Sequence, residues 1–512
     1  MKRTAALLLC LLLTLSLVGC GKGGSPYTPT GSALYDDSQE ATEGAEENQT
    51  GKYLVLAYYP EESLNPYETI NYINRTLFSL VYQGLFAVDR NYQPTPILCK
   101  EFTVSDDMRT YTFYLEDATF SDGSKVTAAD VIASYQAAKD GKVYGGRFSH
   151  VTKIETSEDG GITFSLDTAM ESLPLLLDVP IVKAEEVDSS RPVGTGPYLY
   201  EHASAGLRLR RRSDWWCTSD LMVTASSIPL RPVDSVLDVR DEFEFSDVGL
   251  ALSDPCSDSY VEYRCDFELW DCENGTMLYL ACNMDSKVFT NETIRSALTY
   301  AVDREYISET YYRGFAQTAS LPASPSSPYY SNQLAQRYTF DKEKFAAAVA
   351  STGFTGMEIE FLVNKDDTMR LKVAREIGKV LTECGLKVTM VEVSNTRYQE
   401  QLYYGTFDLY LGQTKLSPNM DLSPFFRPMG TLRYGNIADP GIYALCQQAM
   451  ANSGNYYNLH ETVMEDGRMV PVLFHHYSVH ATRGLLTGLT PARDNVFFYS
   501  LGKTMADAQL EQ

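Results

Sequence analysis

Met357, Ile359, Phe361 and Val363 recur at every second position, with Glu358 and Glu360 between the first three, the period of a strand. The next segment, 366–384, switches to helical spacing. Met369, Val373, Ile377, Val380, Leu381 and Cys384 share one face, and Gly385 stops the helix. Residues 386–393 return to a strand pattern. Strand, helix, strand over 357–393 is a βαβ unit, which predicts two parallel strands joined by a right-handed crossover. A helix over 395–404 and a strand over 407–411 extend the unit. A strand over 470–474 follows a poorly defined helical stretch near 440–465. Upstream, 277–282 is an apolar strand. Thr290 or Asn291 then caps a helix that carries Ile294, Ala297, Leu298, Ala301 and Val302 on one face.

The preceding residues read differently. Short strands are expected at 53–59, stopped by Pro60, and at 110–115, with two more in 151–166 around the turn Glu158-Asp-Gly-Gly161. A helix is expected over 74–86, and Thr127 caps another that buries Val131 and Ile132. Arg208, Arg210, Arg211 and Arg212 form a basic run whose alternation with Leu207 and Leu209 predicts a solvated strand face. The whole is α/β. Open sheets of this class bind ligands beyond the carboxyl ends of their strands. Those ends are expected at Asn283, Asn364, Ser394, Gly412 to Asp421, and His475.

The extreme N-terminus is not part of this pattern. Lys2 and Arg3 precede an uncharged, mostly apolar run from Ala5 to Val18. At 14 residues it falls short of the roughly 20 that span a bilayer, and it reads as a secretory signal peptide over 1–19. Leu17-Val18-Gly19-Cys20 resembles the lipobox of bacterial lipoproteins, which implies cleavage before Cys20 and lipidation of its thiol. Residues 20–52, Gly/Ser/Pro-rich and then acidic, read as a flexible tether. The chain of 512 residues has a net charge of −24, which becomes −26 without Lys2 and Arg3. That balance excludes a nucleic-acid partner, which would require a basic face. If the acidic surplus surrounds a cleft, it favours cationic or amine-bearing ligands. Among the ten cysteines, Cys256, Cys265, Cys272 and Cys282 have no C-x-x-C spacing, and either disulfides or free thiols fit.

Four blocks occur in order: Leu80-Val-Tyr-Gln-Gly-Leu85, Phe120-Ser-Asp-Gly-Ser-Lys-Val-Thr-Ala-Ala-Asp-Val131, Pro192-Val-Gly-Thr-Gly-Pro-Tyr198 and Ile294-Arg-Ser-Ala-Leu-Thr-Tyr-Ala-Val-Asp-Arg304. Together they resemble the family 5 extracellular solute-binding proteins, receptors of bacterial ABC importers for oligopeptides, dipeptides and nickel. The resemblance implies a two-lobed, periplasmic-binding-protein-like fold (type II, cluster C). Lobe I would span 53–275 with an extra subdomain at about 76–180. Lobe II would span 276–475, and 476–512 would return to lobe I, with hinges near 270–280 and 470–480. It further implies a monomeric, non-enzymatic receptor, anchored outside the membrane through Cys20, that closes on a peptide or peptide-like solute and delivers it to permease subunits. The alternatives are a secreted, lipid-anchored hydrolase, or a sensor or chaperone of the same fold that works without an importer. No G-x-S-x-G or H-E-x-x-H motif supports the hydrolase.

In peptide-binding relatives an Asp after the lobe II strand holds the peptide amine. Here the first acid of that pattern falls at Pro418 or Asn419, and Asp421 could shift into the role or serve as a helix N-cap for 422–426. Lys415 and Arg427 flank it as candidates for an anion. His475 is expected at the cleft edge, and His475 and His476 fall on opposite strand faces, which argues against a metal. Tyr67, Tyr72 and Tyr82 either pack in the core or reach the ligand, with Tyr82 the candidate chosen alongside Asn283. No cofactor or metal is expected.

Overall fold

The computed structural model describes residues 54–509, apart from 218, 258, 259, 261, 487, 503 and 504. The signal peptide (1–19), Cys20 and the tether therefore lie outside the described residues. Among the described residues no helix is long and apolar enough to cross a membrane.

An 11-stranded mixed sheet runs through the molecule. Its order is Tyr198–Ala203, Gly206–Arg211, Ser227–Pro232, Leu56–Tyr58, Leu250–Ser253, Met469–Thr482, Phe267–Cys282, Leu409–Lys415, Glu358–Asn364 and Lys387–Val393. A short strand, Ala316–Thr318, pairs with Met469–Thr482. Two strands are unusually long, Phe267–Cys282 at 16 residues and Met469–Thr482 at 14. They pair antiparallel with each other and carry the chain between two halves with separate cores. The core of the first half gathers mainly residues of 54–252 and 477–498; two clusters in the second half gather mainly residues of 277–474. The register of the long pair breaks between Glu273 and Met277. Gly275 sits in this break with φ 80°, and a Cβ there would run into the Arg493 guanidinium. The buried Glu273 beside it accepts from Tyr92 Oη (2.9 Å), Gly275 N and Ser324 Oγ, which joins both halves at the crossing. Burial raises its pKa above the ordinary carboxylate range.

The βαβ expectation holds. Glu358–Asn364 and Lys387–Val393 pair parallel, with the helix Thr368–Glu383 between them. The helix Asn395–Tyr404 matches its expected span, and the helical stretch near 440–465 is two helices, Pro440–Ala451 and Tyr456–Asp466. Two strands are longer than their apolar patterns: 407–411 is Leu409–Lys415, and 470–474 extends to Thr482. Pairing with Phe267–Cys282 carries both on through polar residues, and Leu250–Ser253 holds the far end of the second from its other side. A separate four-stranded sheet, ordered Cys99–Val104, Thr110–Leu115, Ile162–Leu166 and Val151–Thr156, forms with the helix Ala128–Asp140 a satellite on the first half.

The helix expected over 74–86 does not form as one unit. It is two single turns, Tyr72–Arg75 and Phe78–Val81, followed by extended chain from Tyr82. Leu77, Phe78, Leu80 and Val81 are all buried, so the segment lacks a polar face and threads through the core. Gln83–Gly84 then pairs with Pro180–Ile181.

The blocks of the family resemblance are structural ties. Gly196 N donates to Val81 O at 2.8 Å, and a Cβ on Gly196 would strike the Leu80 carbonyl. The Gly194-Thr-Gly-Pro197 loop is thus fixed onto Leu80–Tyr82 of the first block, rather than bordering the cavity described below. Arg212, expected on a solvated face, is buried. Its guanidinium donates to Thr119 O (3.1 Å), Phe120 O (2.9 Å) and Thr195 O (3.3 Å), joining the second and third blocks. Arg208 and Arg210 do stay at the surface, both bound to Glu201. In the fourth block the buried Arg304 donates to the carbonyls of Ala319, Tyr338 and Pro471 at 2.8–3.2 Å. Cys217, Cys256, Cys265, Cys272, Cys282, Cys384 and Cys446 are free thiols.

Candidate functional site

A cavity of about 700 Å³ opens between the two halves, within the size range of small-molecule sites. Residues from 70–75, 142–150 and 170–176, together with Arg493 and Asp494, line one side, and residues from 414–432 line the other. The second wall is the carboxyl end of Leu409–Lys415 and the loop after it, one of the sites expected from strand polarity. In that loop Met420 is buried and left-handed, at φ 55°, and it turns the chain between Asn419 and Asp421.

Three of the six expected ligand-binding residues line this cavity: Lys415, Asn419 and Asp421. Asp421 Oδ1 accepts from Ser423 N at 2.8 Å, so the carboxylate both caps the turn Ser423–Phe426 and faces the cavity. The Asn419 amide is engaged within the protein. Its oxygen accepts from Ser417 Oγ (2.6 Å), and its nitrogen donates to Ser172 Oγ (3.2 Å) on the opposite wall. Lys415 Nζ pairs across the cavity with Asp494. The Lys415 side chain is 45% exposed, but into a protein-walled cavity rather than bulk solvent. Poor hydration there pushes its pKa down to about 8, although Asp494 pulls upward.

The other three lie elsewhere. Asn283 stands at the far end of the sheet. Its strand runs antiparallel to Leu409–Lys415, with Cys282 opposite Leu409, so its carboxyl end points away from Lys415. The Asn283 amide donates to Gly405 O (2.9 Å) and Phe407 O (2.8 Å) and fixes the entry to that strand. His475 is mid-strand, buried opposite Ala316 with its ring 5.4 Å from that of Tyr312. Burial pushes its pKa down to about 4, so it is neutral at physiological pH. Tyr82 is a core residue whose hydroxyl donates to Leu64 O at 3.0 Å. Tyr72 is the tyrosine of that group that reaches the cavity. Among the described residues no group of three or more His, Cys, Asp or Glu side chains could hold a metal.

Apart from Tyr72, the first wall went unread in the sequence. Arg75 ends the turn Tyr72–Arg75, Arg147 lies within the turn Gly145–Phe148, and Arg493-Asp494 arrives from the C-terminal return. Asp494 organises them. Its carboxylate contacts Arg147 Nη2 (2.8 Å), Arg493 Nε (3.8 Å) and Lys415 Nζ, and its side chain is only 5% exposed. Burial alone would raise the Asp494 pKa, but Lys415, Arg493, Arg147 and Arg75 together hold it well below the usual carboxylate range. Arg147 also reaches Asp178 at 2.5 Å. The lining carries six Lys or Arg side chains against two carboxylates, Asp421 and Asp494. The acidic surplus of the chain therefore does not surround the cleft, and the preference for cationic ligands expected from it is overturned.

Two α/β halves, joined by a pair of crossing strands and facing each other across a polar cavity, define a clamshell solute receptor. Residues 93–435 match the family described as bacterial extracellular solute-binding proteins, family 5 Middle, and the chain belongs to that family. It is 24% identical over 342 residues to a glutathione-binding protein of Escherichia coli O1:K1 / APEC, covering 64% of this chain and 66% of the relative. The match thus spans just under two thirds of that relative's length. HbpA2 from Haemophilus parasuis has a similar fold, with TM-score 0.72 at 19% identity, covering 87% of this chain and 98% of that one. The oligopeptide-binding protein AppA from Bacillus subtilis, solved with a nonapeptide, aligns with TM-score 0.59 at 17% identity, covering 86% and 96%.

Proposed function

We propose that the protein is the substrate-binding component of an ABC importer and captures a peptide or peptide-like solute in the cavity between its lobes. The observation that carries this reading is that both halves wall the cavity and already touch across it, through Lys415–Asp494 and Asn419–Ser172. A solute that contacts both walls lowers the free energy of the closed state relative to the open one, and closure follows as a population shift. Lobe I is taken as 53–275 with 476–512, and lobe II as 276–475. The strand pair at Glu273–Met277 serves as hinge, where the register break and Gly275 allow the chain to bend. Glutathione and a nonapeptide, named for two of the relatives, are both peptides, which supports that solute class.

Delivery to a permease implies display on the outer side of the cytoplasmic membrane. The signal-like segment 1–19 and the lipobox-like end at Cys20 support a lipid anchor, and 20–52 would be its tether. Asp421 remains the candidate for the peptide amine. Mass spectrometry of the solute that co-purifies, followed by small-angle scattering with and without it, tests the reading. The solute should compact the protein; an identified solute that leaves the scattering curve unchanged refutes closure. Cys20→Ser should release the protein from membranes, and full retention refutes the anchor.

A further inference from the structure

We propose that the cavity selects acidic solutes, with at least two carboxylates of the bound molecule held by the cationic groups that surround Asp494 and by Arg427. This rests on the reading of the cavity as the solute site and names the class of solute it takes.

The charge balance is the first observation. On a chain of net charge −24, this cavity gathers six Lys or Arg side chains and two carboxylates. One of the two carboxylates, Asp494, is already shared among Arg147, Lys415 and Arg493. Asp178 balances Arg147 from behind. Arg75 and Arg427 form no ion pair in the described structure, and Lys415 and Arg493 have only a share of one anion.

Unmet hydrogen-bonding capacity is the second observation. Arg493 is 3% exposed, and its Nε and Nη1 are buried without a hydrogen-bond partner. Arg75 Nη1 and Arg427 Nε are in the same state. Buried guanidinium N–H groups without acceptors are costly, and a surplus of confined positive charge is costly as well. The cost of confined charge falls when a ligand supplies carboxylate oxygens to the cationic side chains that line the cavity, and the planar guanidinium matches a carboxylate with two parallel bonds. Neutral or basic solutes do not relieve that cost, and a basic one adds to the repulsion. Asp421 makes no ion pair among the described residues. It leaves one place for an ammonium, so a zwitterion with extra acids fits better than a simple polyanion.

The test offers the purified protein an equimolar mixture of the tripeptides Ala-Glu-Glu, Ala-Gln-Gln and Ala-Lys-Lys, and reads the retained peptide by native mass spectrometry. Thermal protection by citrate is measured in parallel. Ala-Glu-Glu should be retained about tenfold over the other two, and Lys415→Gln and Arg427→Gln should each weaken its retention about tenfold. Lys415 is half-exposed and Arg427 partly exposed, and the ligand-free melting temperature checks that the fold is intact. Equal or better retention of Ala-Gln-Gln or Ala-Lys-Lys overturns the proposal, and so does acidic-peptide binding that neither variant weakens. If no peptide is retained but citrate protects the wild type and not Lys415→Gln, the peptide reading fails and the acidic-solute inference stands. If neither citrate nor Ala-Glu-Glu binds, the inference is overturned.

Discussion

Asp494→Asn removes the one carboxylate around which the cavity's cations are arranged while keeping the shape of the side chain. The carboxylate is 5% exposed, and its partners Arg147 and Arg493 have side chains 9% and 3% exposed. Arg147 keeps Asp178 after the change, but Arg493 keeps the Leu416 carbonyl as its hydrogen-bond acceptor and feels Glu273 and Asp178 only from farther away. One buried guanidinium thereby loses its ion-pair partner, a change that costs about 3 kcal/mol. The pH dependence has a definite sign. The folded-state pKa of Asp494 lies well below its ordinary value, so its contribution is complete above the unfolded value near 4 and is lost as pH falls through the lower folded value. The difference between wild type and variant should be flat from about pH 5 to 7, should change above that as Lys415 loses its charge, and should shrink in stronger acid. Urea unfolding followed by the fluorescence of Trp215, Trp216 and Trp270 measures it. Adding Lys415→Met to the variant should recover about 1 kcal/mol by removing a second cation. A loss below about 1 kcal/mol at pH 7, or no recovery in the double variant, refutes the reading of Asp494 as the organising anion.

Lys415, with a pKa of about 8, loses its charge between pH 7 and 9, so the affinity for an acidic probe should fall about tenfold across that interval in titration calorimetry. Lys415→Arg stays charged and should flatten the profile; an equally steep profile in that variant would place the titrating group elsewhere. Arg304→Met strips donors from the carbonyls of Ala319, Tyr338 and Pro471 and should destabilise the protein by about 3 kcal/mol or more; a melting temperature like that of wild type would contradict the assigned role. Asn419→Ala removes the bond to Ser172 and should weaken closure by about 0.5–1.5 kcal/mol, seen as a larger radius of gyration at subsaturating solute. An unchanged radius would show that the bond does not hold the walls together.

The legible parts of the fold were those whose burial is one-sided and local. Thr368–Glu383 announces itself because Val373, Ile377 and Leu381 repeat at four-residue spacing on a single buried stripe, and Glu358–Asn364 because its first half, Glu358–Phe361, alternates exposed and buried residues. The 74–86 segment misled because its residues are buried on every side, which erases the periodicity that separates a helix from threaded chain. Asn283 misled for a different reason. The rule that placed it assumes parallel strands, and Phe267–Cys282 runs antiparallel to its neighbour. Arg212 looked like one of four surface arginines, and only the approach of residues 119–120 and 195–196 shows why it is buried.

The α/β class, the βαβ unit, the family blocks and the loop after Leu409–Lys415 as a cavity wall could be read from the chain, because each depends on residues close together in it. The electrostatics of the site arises only on folding. Arg75, Arg147, Lys415 and Arg493-Asp494 come from four distant segments, and no spacing relates them. A total charge of −24 says nothing about where the positive charges gather. Electrostatic energy depends on distance and burial, and both are set only when the two long strands bring the halves face to face.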